Sequence, residues 1–350
     1  MCALSIANMS NSDVSTSHMM ADYLDRIGAG KVLLDRAPFS FDWTPPALVG
    51  RDEELRGLAS MFVGIEHQGV SGRAVITGPV GSGKTVMTRR FGEDLQRALD
   101  GRRKLMLAHV NCRNHSTASQ VLQEVARSLD SGHPERGLSS SEVIQSIRRN
   151  LGTQEAHLLL VLDEVDVLIR NDKGDLIYKL LRIDEGQNRQ GSVSMILVSQ
   201  DTSLIKLFEP AIISRLGESN MLTLGGYGEE ALVEIAKQRY EEACRPGSVD
   251  DDALGKIGRF AAESGDARLA IELLEAAIIR VEKDGRGDVL AEDVRPSTLR
   301  AASVEPSQVD ELGDHQKLVL LGICRRLKKV DTVSSGDAHK LYLLVCEEYE

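Results

Sequence analysis

The octet Gly78-Pro79-Val80-Gly81-Ser82-Gly83-Lys84-Thr85 has the spacing G-x-x-x-x-G-K-[ST]. β-compatible residues 75–77 precede it and a helical pattern follows, the strand–loop–helix context that such a loop requires. Gly81 and Gly83 let the backbone turn its N–H groups inward, where a Cβ would obstruct a phosphate. A helix starting near Lys84 aims the positive end of its dipole at the same anion. Lys84 then sets a point charge against the β- and γ-phosphates, and the Thr85 hydroxyl can ligate Mg²⁺. Pro79, Val80, Ser82 and Val86 complete the loop's contact set. The bland alternative is a glycine-rich surface turn with a chance lysine; a filled motif behind a strand argues against it. The octet predicts binding of a nucleoside triphosphate.

A pair of carboxylates comes next. Residues 158–162 are a continuous apolar run, as expected of a central parallel strand covered on both faces, and Asp163-Glu164 end it. Both therefore belong at the carboxyl edge of a sheet, beside the phosphate loop. Asp163 is expected to hold Mg²⁺, directly or through water, and Glu164 to act as the base on an attacking water. Asp166 reads as the cap of the following helix. Residues 193–199 form another buried strand, and Gln200 either helps to position the lytic water or simply ends that strand. Arg215, near the end of a helix, either reaches the γ-phosphate of a neighbouring subunit or stays solvated. Asp266 suits the N-cap of a helix whose first turn carries Arg268, on the side able to fold back towards the phosphates.

The elements that position these groups alternate. A Ser/Asn/Met-rich tail opens the chain, and its first twenty residues read as disordered. Residues 39–50, with two phenylalanines, the single tryptophan and Pro45-Pro46, read as an extended segment lying on the domain. Helices are expected at 51–61, 117–129, 141–151 and 176–184, with a strand at 104–111. Strands alternating with helices around one phosphate loop predict a doubly wound parallel α/β domain that ends near Leu224. From Tyr227 onward the strands stop, and helices at 229–243, 251–262 and 266–283 predict a small helical domain. Residues 296–309 read as a linker, and a third unit, cut short, begins with a helix at 312–327.

Composition narrows the function classes. Hydrophobic content is 42% and no apolar run reaches the roughly 18 residues of a membrane span. No secretory signal is evident, and five scattered cysteines without a C-x-x-C pair argue for a reducing cytoplasm and against a zinc site. A net charge of −11 tells against a protein that coats nucleic acid with its whole surface, but not against a local basic patch. One such patch is Lys317, Arg325, Arg326, Lys328 and Lys329, on a helix whose other face carries Leu318, Leu320, Leu321, Ile323 and Leu327. It is either the opening helix of a DNA-binding unit making phosphate contacts, or a solvated face on a packing helix.

Residues 265–274, G-D-A-R-x-A-x-x-L-L, taken with GPVGSGKT, LVLDEVD and P-P-x-L-x-x-R-[DE]-x-E, closely resemble the archaeal origin-recognition and cell-division-control family of replication initiators. The likeness begins near Phe41. It implies an AAA+ P-loop domain over 41–225 behind a flexible tail (1–40), a helical lid over 226–300, and the start of a winged-helix domain over 301–350. It also implies a base pocket at Pro46, Leu48, Val49 and Arg51, further nucleotide contacts from Tyr227 and Arg239, and a second-sensor role for Arg268. Gln200 stands where Asn is more usual. Ala211 occupies a place often basic in relatives, which leaves Arg215 as the nearer finger. The stretch around 117–129 is similar to the family's inserted helix, which faces DNA, and offers Ser119, Gln120, Gln123 and Arg127. The implied cofactors are ATP or ADP with Mg²⁺. The implied partners are double-stranded origin DNA, the MCM replicative helicase and other initiator subunits, with slow ATP hydrolysis, a cytoplasmic, nucleoid-associated location and no membrane. Two rivals stay open: a nucleotide-gated scaffold without useful turnover, and an AAA+ remodelling ATPase or clamp loader. A metabolic kinase is disfavoured, since no transferase motif appears.

Overall fold

The central strands of this chain are mostly aliphatic on both faces, which favours a layer covered from both sides. The computed structural model describes residues 30–183, 192–217, 219–295, 312–328 and 333–349. The first twenty residues, expected to be disordered, the linker at 296–309 and Lys329 lie outside the described residues. Residues 31–35, expected in a flexible tail, are instead hydrogen-bonded to Glu282 and to the Ala243 carbonyl. β1 (Arg73–Thr77), β2 (Leu105–Asn111), β3 (His157–Asp163), β4 (Ser192–Ser199) and β5 (Met221–Thr223) form one five-stranded sheet in the order β2-β3-β4-β1-β5. Every pairing is parallel. β5 was not expected: three residues are too few to show a period. Each residue of β3 and β4 is buried.

The register lines up the carboxyl ends. Asn111 pairs with Asp163 and Thr77 with both Ser199 and Thr223, so the loops after β1, β3 and β4 open on one edge. With β1 inserted between β4 and β5, that edge holds the topological switch point where α/β sheets place ligands.

Helices cover both faces. On one lie α1 (Asp52–Ser60) and α2 (Lys84–Leu99), with Leu58, Phe62, Met87 and Phe91 packed on Ile76, Leu159 and Ile196. On the other lie α3 (Ala118–Leu129), α4 (Ser140–Thr153), α5 (Val165–Asp172), α6 (Asp175–Leu181) and α7 (Pro210–Leu216), around Leu122, Ile147, Leu160 and Leu197. Capping boxes start α3 at Thr117 and α4 at Ser139, where the partner side chains Gln120 and Glu142 reach back to the cap. Gln120, one of the polar groups expected to face DNA, is thus engaged in its own helix start. Asp166 does not cap α5. Glu164 occupies the N-cap position in a left-handed conformation, and the Asp166 carboxylate accepts from the Ser199 hydroxyl at 2.9 Å, tying the ends of β3 and β4 together.

α8 (Glu229–Ala243), α9 (Asp251–Ala262) and α10 (Ala267–Lys283) pack on one another. Asp266 caps α10 as expected, accepting from the Arg268 and Leu269 amides.

The described residues from 312 onward belong to a second compact unit. In it α11 (Asp314–Leu327) packs on α12 (Ser335–Tyr349), and the backbones meet where Gly322 leaves room for Leu341. Leu318, Leu320, Leu321 and Ile323 are only half-buried there, and Leu343 and Leu344 are exposed.

Candidate nucleotide site

Gly81 and Gly83 adopt φ of 71° and 84°, the left-handed region that glycine enters without penalty. Their backbones curl the loop under the N-terminus of α2. A Cβ at Gly81 would overlap the Asp266 carboxylate, and one at Gly83 would crowd the Tyr227 hydroxyl. The phosphate loop is therefore in contact with the start of α10, and the Ala267 amide donates to the Gly81 carbonyl at 3.1 Å.

Lys84 is 8% exposed, and its ammonium donates to the carbonyls of Gly78 (2.8 Å) and Pro79 (2.7 Å). Burial lowers its pKa, the Asp163 carboxylate opposes that, and the nearby Arg268 charge lowers it further. Two cations thus stand near the loop, Lys84 with its charge held by the Gly78 and Pro79 carbonyls, a setting favourable to an anion.

Thr85 Oγ1 donates to Asp163 Oδ2 at 2.6 Å. Burial would raise the Asp163 carboxyl, but hydrogen bonds from His109 and Thr85 outweigh it and hold the group below its usual range. Asp163 is therefore ionised and shares a site with a hydroxyl, a hard-oxygen pair suited to Mg²⁺. No group of three or more His, Cys, Asp or Glu able to hold a metal occurs among the described residues. A cation at the Thr85–Asp163 pair would have one or two protein oxygens, with the rest of its shell supplied from outside the protein.

Glu164 stands next to this pair with φ of 52°. Its carboxylate accepts from the Gln200 side-chain amide at 3.2 Å and lies 3.3 Å from Arg113 Nε. Glu164 and the strand-end amide of Gln200 are therefore neighbours. Arg113 carries no sequence signal: it lies beyond the end of β2, fifty-one residues from its partner in sequence.

One cavity of about 970 Å³, partly open to solvent, joins these groups. Its lining includes Val80, Gly81, Gly83, Lys84, Thr85, Val86, Asp163, Glu164, Gln200, Leu48, Val49, Tyr227, Arg239 and Arg268. Five expected residues lie outside that lining. Pro46 is exposed while its neighbour Pro45 lines the wall, and Pro79 is exposed. Ser82 is buried, with its hydroxyl donating to the Pro79 carbonyl at 2.9 Å.

Arg51 is the fourth. It is buried, donates to the carbonyls of Ser82 (2.9 Å) and Gly225 (2.7 Å), pairs with Glu54, and stacks 4.0 Å from the Tyr227 ring centroid. It clamps the loop to the segment leading into α8. Arg215 is the fifth, and stands on α7 with its guanidinium 5.7 Å from the Tyr178 ring.

The sequence reading missed Phe41, Trp43, Ile235, Gln238 and Ile271 as lining residues. The two aromatics did carry a signal, since aromatic residues make up only 4% of the chain.

The model of an AAA domain matches residues 69–208, and that of a Cdc6 AAA+ ATPase-type lid domain matches residues 233–298. An ORC1-type DNA replication protein of Desulfurococcus amylolyticus is 31% identical over 92% of this chain and 84% of its own length. ORC1-type DNA replication protein 1 of Sulfolobus acidocaldarius is 29% identical over 93% and 82%. Among solved structures, that of the Aeropyrum pernix ORC1 protein in complex with DNA superposes with a TM-score of 0.72 at 30% identity, covering 90% of this chain and 82% of that one. The fold is thus an AAA+ domain with a Cdc6-type lid, as the resemblance implied.

Proposed function

The chain belongs to the ORC1-type DNA replication protein family, and on that premise we propose that it is an ATP-dependent initiator that binds duplex origin DNA and helps to recruit the MCM helicase. The observation that carries the reading is the cavity in which the phosphate loop, the Asp163–Glu164 edge and the start of α10 meet. ATP would lie there with its phosphates on the loop amides, between Lys84 and Arg268. Thr85 and Asp163 would hold Mg²⁺, which when bound neutralises charge on the β- and γ-phosphates. Glu164 takes the proton of the attacking water, and Gln200 orients both. Arg268 stabilises charge on the γ-phosphate as second sensor, and Arg215, outside its own chain's cavity, serves a neighbouring subunit.

Hydrolysis is slow and acts as a switch between ATP and ADP states of the DNA-bound protein. One of the named relatives is seen in complex with DNA, which supports the DNA part of the proposal. α11 and α12 supply the opening of a winged-helix domain, with phosphate contacts from the basic end of α11. Among the described residues no helix is long and apolar enough to cross a membrane.

Calorimetry with ATP–Mg²⁺ on Lys84→Ala tests the site, and binding is expected to vanish. Duplex binding by the parental protein, with intergenic and coding fragments of its source genome in competition, tests the role. A preference for one intergenic sequence is expected. Equal binding to every duplex would turn the reading towards a remodelling ATPase or clamp loader.

A further inference from the structure

Residues 31–45 run as a strap from the lid helices to the helix of the phosphate loop. At one end the Glu282 carboxylate on α10 accepts from the amides of Lys31, Val32 and Leu33 at 2.8–3.0 Å. The Ala243 carbonyl at the end of α8 accepts from the amides of Leu34 and Asp35. At the other end Asp42 pairs with Arg89 of α2 at 2.8 Å. Between these anchors the strap presents two aromatic faces to two lid guanidiniums. The Arg268 guanidinium lies 4.8 Å from the Phe41 ring centroid, and that of Arg239 lies 4.1 Å from Trp43. All four side chains line the nucleotide cavity.

Arg239 is 6% exposed, donates one amine to the Pro38 carbonyl at 2.7 Å, and leaves its Nε–H without a partner. A buried guanidinium donor with nothing to bond is costly unless a ligand completes it. Phe41 is 50% exposed, so its packing contributes little to the core, while its ring faces Arg268 at the cavity wall.

We infer that Phe41 and Trp43 are positioning residues, which hold Arg268 and Arg239 over the bound nucleoside di- or triphosphate and thereby set how long it stays. The inference rests on the nucleotide site proposed above. A free arginine must lose rotamer freedom each time it grips a phosphate. An aromatic face beneath the guanidinium removes part of that loss in advance.

The test is release of a mant-labelled ADP, chased with excess unlabelled ADP in stopped flow, from the full chain. Phe41→Leu keeps apolar bulk and removes the ring. It is expected to speed release roughly fivefold, the size of one exposed cation–π contact. Phe41→Tyr restores the ring and is expected to restore the parental rate. Arg89→Ala, which cuts the strap's far anchor, is expected to speed release as well. Thermal midpoints without nucleotide should be alike for parent, Phe41→Leu and Phe41→Tyr, because a residue this exposed adds little to the core. Release from Phe41→Leu at the parental rate overturns the inference, as does Phe41→Tyr releasing as fast as Phe41→Leu. If the parental protein takes up no mant-ADP at all, the nucleotide site itself is wrong and the strap's role falls with it.

Discussion

The Glu164 carboxylate is shared between Gln200, which donates to one oxygen at 3.2 Å, and Arg113, whose Nε lies 3.3 Å from the other. The oxygen facing Arg113 is buried and accepts no hydrogen bond, so if Glu164 is the base, this is the oxygen left for water. The Arg113 side chain is 72% exposed, and an exposed ion pair is worth about 0–1 kcal/mol. The tether is therefore weak and easily released. Arg113→Ala should raise single-turnover ATP hydrolysis by roughly two- to fivefold, the rate equivalent of that energy. A lower rate would mean that Arg113 assists the chemistry instead.

Replacing Glu164 by Gln separates binding from turnover. The amide keeps the size and the bond to Gln200 but cannot take a proton, so nucleotide should still bind. Hydrolysis should fall by roughly 10²-fold or more, the scale of general-base loss. Phosphate release followed beside calorimetry reads both. Parental turnover in this variant would place the base elsewhere.

Acid should weaken the fold through His157. This histidine is fully buried at the start of β3, with its nitrogens against the hydroxyls of Ser192 (2.6 Å) and Ser194 (2.7 Å). Burial, and then the nearby Arg103 charge, press its pKa from 6.5 down to about 3. Between those values the unfolded chain binds a proton that the folded chain refuses. Stability therefore falls as pH drops from about 6.5 towards 3, by a few kcal/mol in all. Asp163, whose carboxyl is also held low, loses its contribution only below about pH 4, the ordinary carboxylate range. Urea unfolding at pH 7 and pH 5 should show the loss, and His157→Gln should flatten it. An equal slope in both proteins would sink the assignment.

The basic end of α11 should govern the salt dependence of DNA binding. Arg325 is already engaged with Glu348 of α12, while Arg326 and Lys328 are exposed. Arg326→Ala with Lys328→Ala should lower the log–log salt slope by about 1.8, or 0.9 per phosphate contact, for every duplex alike. Arg325→Ala should lower it by less. Titrations of duplex binding between low and moderate salt measure it, and an unchanged slope removes this patch from the DNA interface.

The placement of the loop residues and strand-end carboxylates was legible in the sequence because it is local. Lys84 and Thr85 follow their glycines at fixed spacing, and an apolar strand needs only to end at Asp163-Glu164 to deliver both carboxylates to one edge. Asp266 announced the start of α10 in the same way, since a helix cap acts within three residues. What the tertiary structure decided are contacts between positions far apart in the chain. Arg51 reads as a base-pocket residue but spends its donors on Ser82 and Gly225, because the loop and the approach to α8 bring two carbonyls within its reach. Arg113 meets Glu164 only through the pairing of β2 with β3, which ends at Asn111 and Asp163. Phe41 meets Arg268 only because the strap crosses between α10 and α2. Spacing along a chain records which residues share a turn or a strand face. Which distant side chains touch depends on strand order and helix packing, and no single residue's type carries that information.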